Sequence, residues 1–351
     1  MKNKIWFMEG LSSQRDIIQS VNDFSKTCDR PITIYASHRN ERNEILSLAH
    51  FSLIEPKDDE QRLAFIEAIV KEHAINVIHT GRHCQWFETH RQVIESSGVV
   101  LTTGASGVDS IDIADDKVAF AQLMEKNGLP VVPSVRITTL NELKTQLTHS
   151  PFMSSPLCVK PVKGIYGMGF WRFDDAASSM TVINYPERRL IPTWQYLAAC
   201  ESAGSFEPLV LMPYLPGPEY SVDMLVNKGT VLAAVGRRKE GALQYLENTG
   251  EAYDLARACA AVMKADGLVN VQTRHDESGK PVLLEINMRP SGGIGYTRHS
   301  GVNLPGLYAG FTLGYLSESE VRSEADAHFR PAVVRAVTEA IAYQPLLTNT
   351  L

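Results

Sequence analysis

Short apolar runs alternate with amphipathic stretches over the first hundred residues. The runs lie at 5–8, 32–36, 77–79 and 99–102, and between the second and third sits 60–72, where Leu63, Ile66 and Val70 recur at helical spacing. That order predicts strand, helix, strand, with the strands parallel. Near residue 114 the pattern changes. Asp115 stands where a helix N-cap belongs, Phe120, Leu123 and Met124 form the apolar stripe behind it, and Gly128 before Pro130 ends the helix. Residues 157–172 then read as strand, glycine loop, strand, and further strands are expected at 209–212, 221–226, 231–235, 269–272 and 282–287. The stretch 174–204 lacks clear alternation and reads as helix and loop. After Gly301 the chain reads as mainly helical, with a packing helix from Leu304 and a short closing tail.

The expected architecture is therefore an α/β domain of Rossmann type over 1–113, followed by an α+β domain over 114–345. After the first strand comes Glu9-Gly10 and no G-x-G-x-x-G, so the usual dinucleotide fingerprint is missing. His79, His83, Cys84 and His90 fit no common zinc spacing, and this stretch reads as a strand-end loop that touches substrate or nothing.

The segment 282–289 carries the most chemistry. Glu285, Asn287 and Arg289 occupy alternate positions of an otherwise apolar run, so in a strand they share one face while Leu284, Ile286 and Met288 pack behind them. A carboxylate beside an amide oxygen offers the hard ligands that Mg²⁺ takes, and the guanidinium can hold a phosphate or carboxylate that the metal also touches. The plainer alternative is an antiparallel strand with one solvated face. Only the turn 276–279 separates this run from 270–274, so Gln272 can face Glu285 across a hairpin. Further back, Lys160 ends a strand and is followed by a loop containing Lys163, Gly164, Gly167 and Gly169. Lysine plus exposed amides makes a phosphate cradle, although a plain hairpin would use the same glycines. The link 209–223 is stiffened by prolines and ends on acidic groups, which suits it to present backbone polar groups to a flat base and a carboxylate to ribose hydroxyls.

With 351 residues, 44% of them hydrophobic and 21% charged, the chain has room for two or three ordinary globular domains. The N-terminal run meets an acidic residue, Glu9, after only four apolar residues, and no 18-residue apolar run occurs, so neither a signal peptide nor a membrane span is expected and the cytoplasm is the expected location. Five scattered cysteines without a C-x-x-C pair suit reduced thiols. A net charge of −6 gives no basic footprint for nucleic acid.

Taken in order, Asp116-Lys117, Lys160-Pro161 with its glycine loop, the link Tyr214 to Glu219, Asn270-Val-Gln272 and Glu285-x-Asn287-x-Arg289 resemble the ATP-grasp superfamily, in particular its carbamoyl-phosphate-synthetase-like branch. The layout is also similar to a branch associated with tellurite-resistance gene clusters, to which the residues alone do not assign the chain. The resemblance implies a Rossmann-like domain over 1–113 and a grasp over 114–345, with two α+β subdomains, 114–212 bearing a lid and 213–345 holding metal, clasping ATP between them. It implies Lys117 and Lys160, with Lys163, Gly164 and Gly167 of the loop, on the ATP phosphates. It further implies the backbone of Met212, Tyr214 and Leu215 against adenine, Glu219 on ribose, and Gln272, Glu285 and Asn287 as ligands of Mg²⁺ (or Mn²⁺). Arg289 would steady the γ-phosphate or an acyl phosphate, sharing the catalytic role with Lys160. Many relatives have Glu where Pro213 stands, so adenine preference is expected to be looser.

What the resemblance implies for activity is an ADP-forming ligase that phosphorylates a small-molecule carboxylate and lets an amine or another nucleophile displace the phosphate, with a homodimer as the family-based expectation. A small-molecule kinase on the same fold and a non-catalytic nucleotide sensor are the alternatives. Arg82 and His83, at a strand end, and Arg298, after Ser291-Gly292-Gly293, are the expected anchors for the acceptor.

Overall fold

A computed structural model describes residues 2–11, 13–152, 156–164, 167–340 and 342. The end of the expected closing tail, and Ile165 and Tyr166 of the glycine loop, lie outside the described residues. Two compact units are formed, one from 1–111, 218–272 and 286–351, the other from 112–217 and 273–285.

In the first unit, strands β1 (Lys4–Phe7), β2 (Thr33–His38), β3 (Phe51–Ile54), β4 (Val77–His79) and β5 (Val100–Thr102) make a parallel sheet of order β3-β2-β1-β4-β5. The unbroken apolar run at 5–8 follows from burial on both faces, as central parallel strands require. Ile5 and Phe7 join one cluster with Ile17, Ile18 and Val21, while Trp6 and Met8 join another with Ile66, Ile78 and Phe87. The helix expected at 60–72 spans Asp59–His73, with Asp58 as its N-cap and Ala74 in the left-handed region at its end. Strand β3 carries no periodic signal, since Phe51 and Ile54 are about half exposed (48% and 49%) at the sheet edge; pairing with β2, where Tyr35 stacks on Phe51 at 4.7 Å, holds it. The stretch read as a strand-end loop is a loop only as far as His83, because Cys84–Glu95 is a helix containing both Cys84 and His90.

The second unit is built on strands β6 (Val135–Ile137), β7 (Leu157–Pro161), β8 (Trp171–Phe173), β9 (Leu190–Ile191) and β10 (Leu209–Pro213), in the order β6-β10-β7-β8-β9. Its opening helix, Lys117–Lys126, is capped by Asp116 and not by Asp115: the Asp116 carboxylate accepts from the N–H groups of Val118 (3.0 Å) and Ala119 (2.9 Å), while Asp115 ends the preceding helix. Adjacent aspartates make the two positions indistinguishable by residue type, and only backbone geometry selects one. The unassigned stretch 174–204 resolves into helices Ser179–Asn184 and Thr193–Ala203 flanking β9. Cores lie on both faces of this sheet, with Val159, Leu209 and Leu211 on one side and Cys158, Val210 and Met212 on the other.

A third sheet contains β11 (Glu219–Asn227), β12 (Thr230–Glu240), β13 (Leu243–Glu247), β14 (Gly267–His275), β15 (Pro281–Asn287) and β16 (Ala332–Arg335), in the order β15-β14-β11-β12-β13-β16. Strand β12 runs well past the expected 231–235, and β13 continues it as an antiparallel neighbour. The tail expected after the last helix includes β16, which pairs with β13. Strand β15 ends at Asn287, so Arg289 lies beyond the ladder and does not share a strand face with Glu285 and Asn287. Among the described residues no helix is long and apolar enough to cross a membrane.

Gly104 is a glycine whose backbone demands it. Its φ of +90° is left-handed, and a Cβ there would collide with the carbonyl of Met288. Gly104→Ala is expected to cost on the order of 1–3 kcal/mol and to displace the 288–290 segment. An unchanged denaturation midpoint would contradict this close packing.

Candidate functional site

In the second unit, alternation along β7 places Lys160 on the same face as buried Cys158, with 14% of its side chain exposed. Its Nζ lies 3.9 Å from Oε2 of Glu285, whose side chain is 24% exposed. Lys117, on the first turn of its helix, is buried, and its Nζ donates to the carbonyls of Val162 (3.1 Å) and Gly164 (3.3 Å) at the start of the glycine loop. Burial pulls the Lys117 pKa below the usual lysine range; the Glu285 charge opposes that shift and the Lys160 charge reinforces it. Lys117, Lys160 and Glu285 are thus brought together at the mouth of the loop, two ammonium groups and one carboxylate. Beyond them Lys163 and Gly164 are exposed. Gly167 and Gly169 adopt φ near +63° and +70°, a conformation that turns the loop back towards β8.

The proline-stiffened link is held by its own unit. Tyr214 N–H donates to Pro156 O at 2.6 Å, so one of the backbone donors expected to meet a base already has a protein partner. Leu215 is buried, and Met212 O accepts from the Cys158 thiol at 3.6 Å. Two guanidinium groups lie over the Tyr214 ring, Arg172 at 4.7 Å and Arg274 at 5.4 Å. Neither arginine stood out in the sequence, because the two lie far apart along the chain and belong to no motif.

The remaining residues belong to the first unit. Glu219 is ion-paired with Lys239 across β11 and β12. Gln272 and Asn287 are half-buried. Beneath this part of the sheet lies a buried network that sequence reasoning missed. Arg237 donates to Asp223 (2.8 Å), Ser221 (2.9 Å), Ser291 (2.8 Å) and Gln244 (2.6 Å), and Asn270 donates to Ser221 and Asp223, each at 3.0 Å. The network ties the segment after β15, from which Arg289 projects, to β11 and β12. Arg289 itself donates only weakly, at 3.4 Å, to the Pro290 carbonyl.

Of the expected acceptor anchors, Arg298 lies against the helix Gln14–Ser25, 3.9 Å from Asp23. Arg82 and His83 lie at the end of β4, where Arg82 donates to Glu9 at 3.2 Å and His83 adopts a left-handed backbone (φ 57°). Nearby His79 is fully buried between Phe7 and Tyr308, and burial lowers its pKa to about 4, so it is neutral. Among the described residues no three His, Cys, Asp or Glu side chains converge as a metal cage.

The sheet layout and the lysine–carboxylate grouping beside a glycine loop are those of the ATP-grasp fold, and the chain is similar to members of that superfamily. Within it, residues 205–340 match the family described as ATP-grasp in the biosynthetic pathway with Ter operon. The large chain of carbamoyl phosphate synthase from Pyrococcus furiosus is 25% identical over 231 residues, 62% of this chain. This chain spans about a fifth (20%) of that relative's length. The D-alanine–D-alanine ligase of Gloeobacter violaceus is 28% identical over 216 residues, covering 54% of this chain and 64% of that one. Among solved structures, the L-amino acid ligase from Bacillus licheniformis superposes with a TM-score of 0.64 at 14% identity, over 94% of this chain and 78% of that one. The ADP complex of N5-carboxyaminoimidazole synthetase from Staphylococcus aureus gives 0.64 at 15% identity, over 90% and 78%. At such identities the structural likeness concerns the fold.

Proposed function

We propose that this protein is an ATP-dependent, ADP-forming ligase that joins a small-molecule carboxylate to an amine or another nucleophile through an acyl phosphate. The observation that carries the reading is the grouping of Lys117, Lys160 and Glu285 at the glycine loop. It is supported by the match over 205–340 and by likeness to ligases of the same superfamily. In this reading 1–113 is a Rossmann-like domain and 114–345 is the grasp, and the protein works in the cytoplasm without nucleic acid or membrane, as a homodimer.

A carboxylate is a poor electrophile, and its phosphorylation brings two anions together, so positive charge must be held at the transferring phosphate. Lys160, Lys117, Lys163 and the amides of Gly164 and Gly167 serve the ATP phosphates, Arg289 the γ-phosphate, the backbone of Met212 to Leu215 the base and Glu219 the ribose. In this reading Glu285, Gln272 and Asn287, one carboxylate and two amides, would hold a magnesium ion, whose preference is for hard oxygen ligands. When bound, such an ion would neutralise phosphate charge. Bound to these groups, the substrate carboxylate oxygen attacks the γ-phosphorus and ADP leaves; the amine nitrogen then attacks the acyl carbon, inorganic phosphate leaves and a proton is lost from nitrogen.

ADP release across a panel of carboxylic acids and amines tests this. Release is expected to require MgATP and an acid, and replacing the amine by hydroxylamine is expected to yield a hydroxamate. A phosphorylated alcohol as product, or ADP release indifferent to every acid, would overturn the ligase reading in favour of a kinase or a sensor.

A further inference from the structure

We propose that the C-terminal ends of β1, β2 and β4 form an anion subsite in which Arg39 and Arg82 grip a carboxylate or phosphate group of the small-molecule substrate, with buried Glu9 positioning both guanidinium groups. Strand β1 is where the order of the first sheet reverses, with β2 and β3 on one side and β4 and β5 on the other. Ligands of open parallel sheets settle in the crevice at such a point. Glu9 follows β1, Arg39 follows β2 and Arg82 lies in the turn after β4, so three neighbouring strands deliver the three side chains to one place.

Glu9 is 5% exposed and is a costly group to bury unless it organises cations. Its Oε1 accepts from Arg82 Nη1 at 3.2 Å, and its Oε2 lies 3.2 Å from Arg39 Nε yet receives no hydrogen bond. His38, 3.8 Å from Oε1, is buried beside it. On the far side Arg39 Nη2 donates to Asp59 at 3.0 Å, which fixes that guanidinium from two directions. One arginine would compensate Glu9. The second, Arg82, keeps 43% of its side chain exposed, and among the described residues no protein group takes its Nε or Nη2, leaving a fork of donors suited to a planar carboxylate or a phosphate.

The subsite also has a neighbour with a purpose. The Met288 carbonyl accepts from the Cys84 thiol at 3.8 Å and packs on Gly104, so the segment bearing Arg289 lies beside the turn that bears Arg82, all within the first unit. Resting on the reading above, an anion gripped here would be held next to the residue assigned to the transferring phosphate.

The test uses the full chain without nucleotide or metal: titration of inorganic phosphate followed by ³¹P line broadening, and of ¹³C-labelled acetate followed by ¹³C broadening. Saturable broadening of one probe, weakened at least tenfold in Arg82→Ala and in Glu9→Gln but retained in Lys160→Ala, is expected; phosphate alone would indicate a phosphoester-bearing substrate and acetate alone a carboxylate. Glu9→Gln keeps the volume of the buried side chain, and unfolding curves verify that each variant folds. Binding lost only in Lys160→Ala, or of neither probe, would overturn the subsite. MgADP binding, measured separately by calorimetry, reports on the nucleotide reading, so the two can fail independently.

Discussion

Glu285→Ala is expected to abolish substrate-dependent ADP release while leaving the fold intact, a loss on the order of 3 kcal/mol or more of transition-state stabilisation by analogy with other charge-stabilising groups. The carboxylate faces Lys160 at 3.9 Å and opposes the burial that lowers the Lys117 pKa. Without it, Lys117 and Lys160 keep their mutual repulsion and lose the carboxylate that most offsets it, and the proposed metal set loses its only charged ligand. Glu285→Gln keeps the volume and removes the charge, so it is expected to fail nearly as badly. The fold is spared because the side chain is part-exposed and the ladder of β15 uses backbone groups. Coupled-assay turnover, with circular dichroism as the folding check, decides the matter; near-normal turnover would remove the assignment.

The largest expected effect on stability is at Arg237. Its side chain is 3% exposed and Asp223 is fully buried, and the pair is joined at 2.8 Å within a network that also holds Ser221, Ser291, Gln244 and Asn270. Arg237→Met would leave Asp223 charged in the interior with Asn270 as its remaining donor, at a cost of about 3–5 kcal/mol. The double variant Arg237→Met, Asp223→Leu removes both charges and is expected to recover most of that loss. Urea midpoints of the two variants test the account. A single variant as stable as the parent, or a double variant worse than the single, would show that the buried ion pair does not set the stability of this network.

Much of this was readable in the chain because it depends on local period and residue type. Strands buried on both faces appear as unbroken apolar runs, as at Ile5 to Met8. The helix at Asp59–His73 appears as an apolar stripe with a capping aspartate just outside it. The motifs holding Lys117, Lys160 and Glu285 were likewise readable from their order along the chain, and the structure brings the three side chains together within one unit. Where motifs were silent, prediction failed for physical reasons. Edge strands β3 and β16 bury little, and hydrogen bonding to a neighbour makes them strands.

Sequence alone determined which segments alternate, which residues carry the groups proposed for phosphate and metal and which superfamily they resemble, because covalent order and side-chain chemistry are local properties. Tertiary structure decided what pairs with what. It put Asp116 and not Asp115 at the cap, moved Arg289 off the end of β15, engaged the Tyr214 amide with Pro156, and gathered Glu9, Arg39 and Arg82 from three separate strand ends. The last two of these join residues dozens of positions apart, and they are set by sheet order and by the need of buried polar groups to find partners, neither of which leaves a periodic mark on the chain.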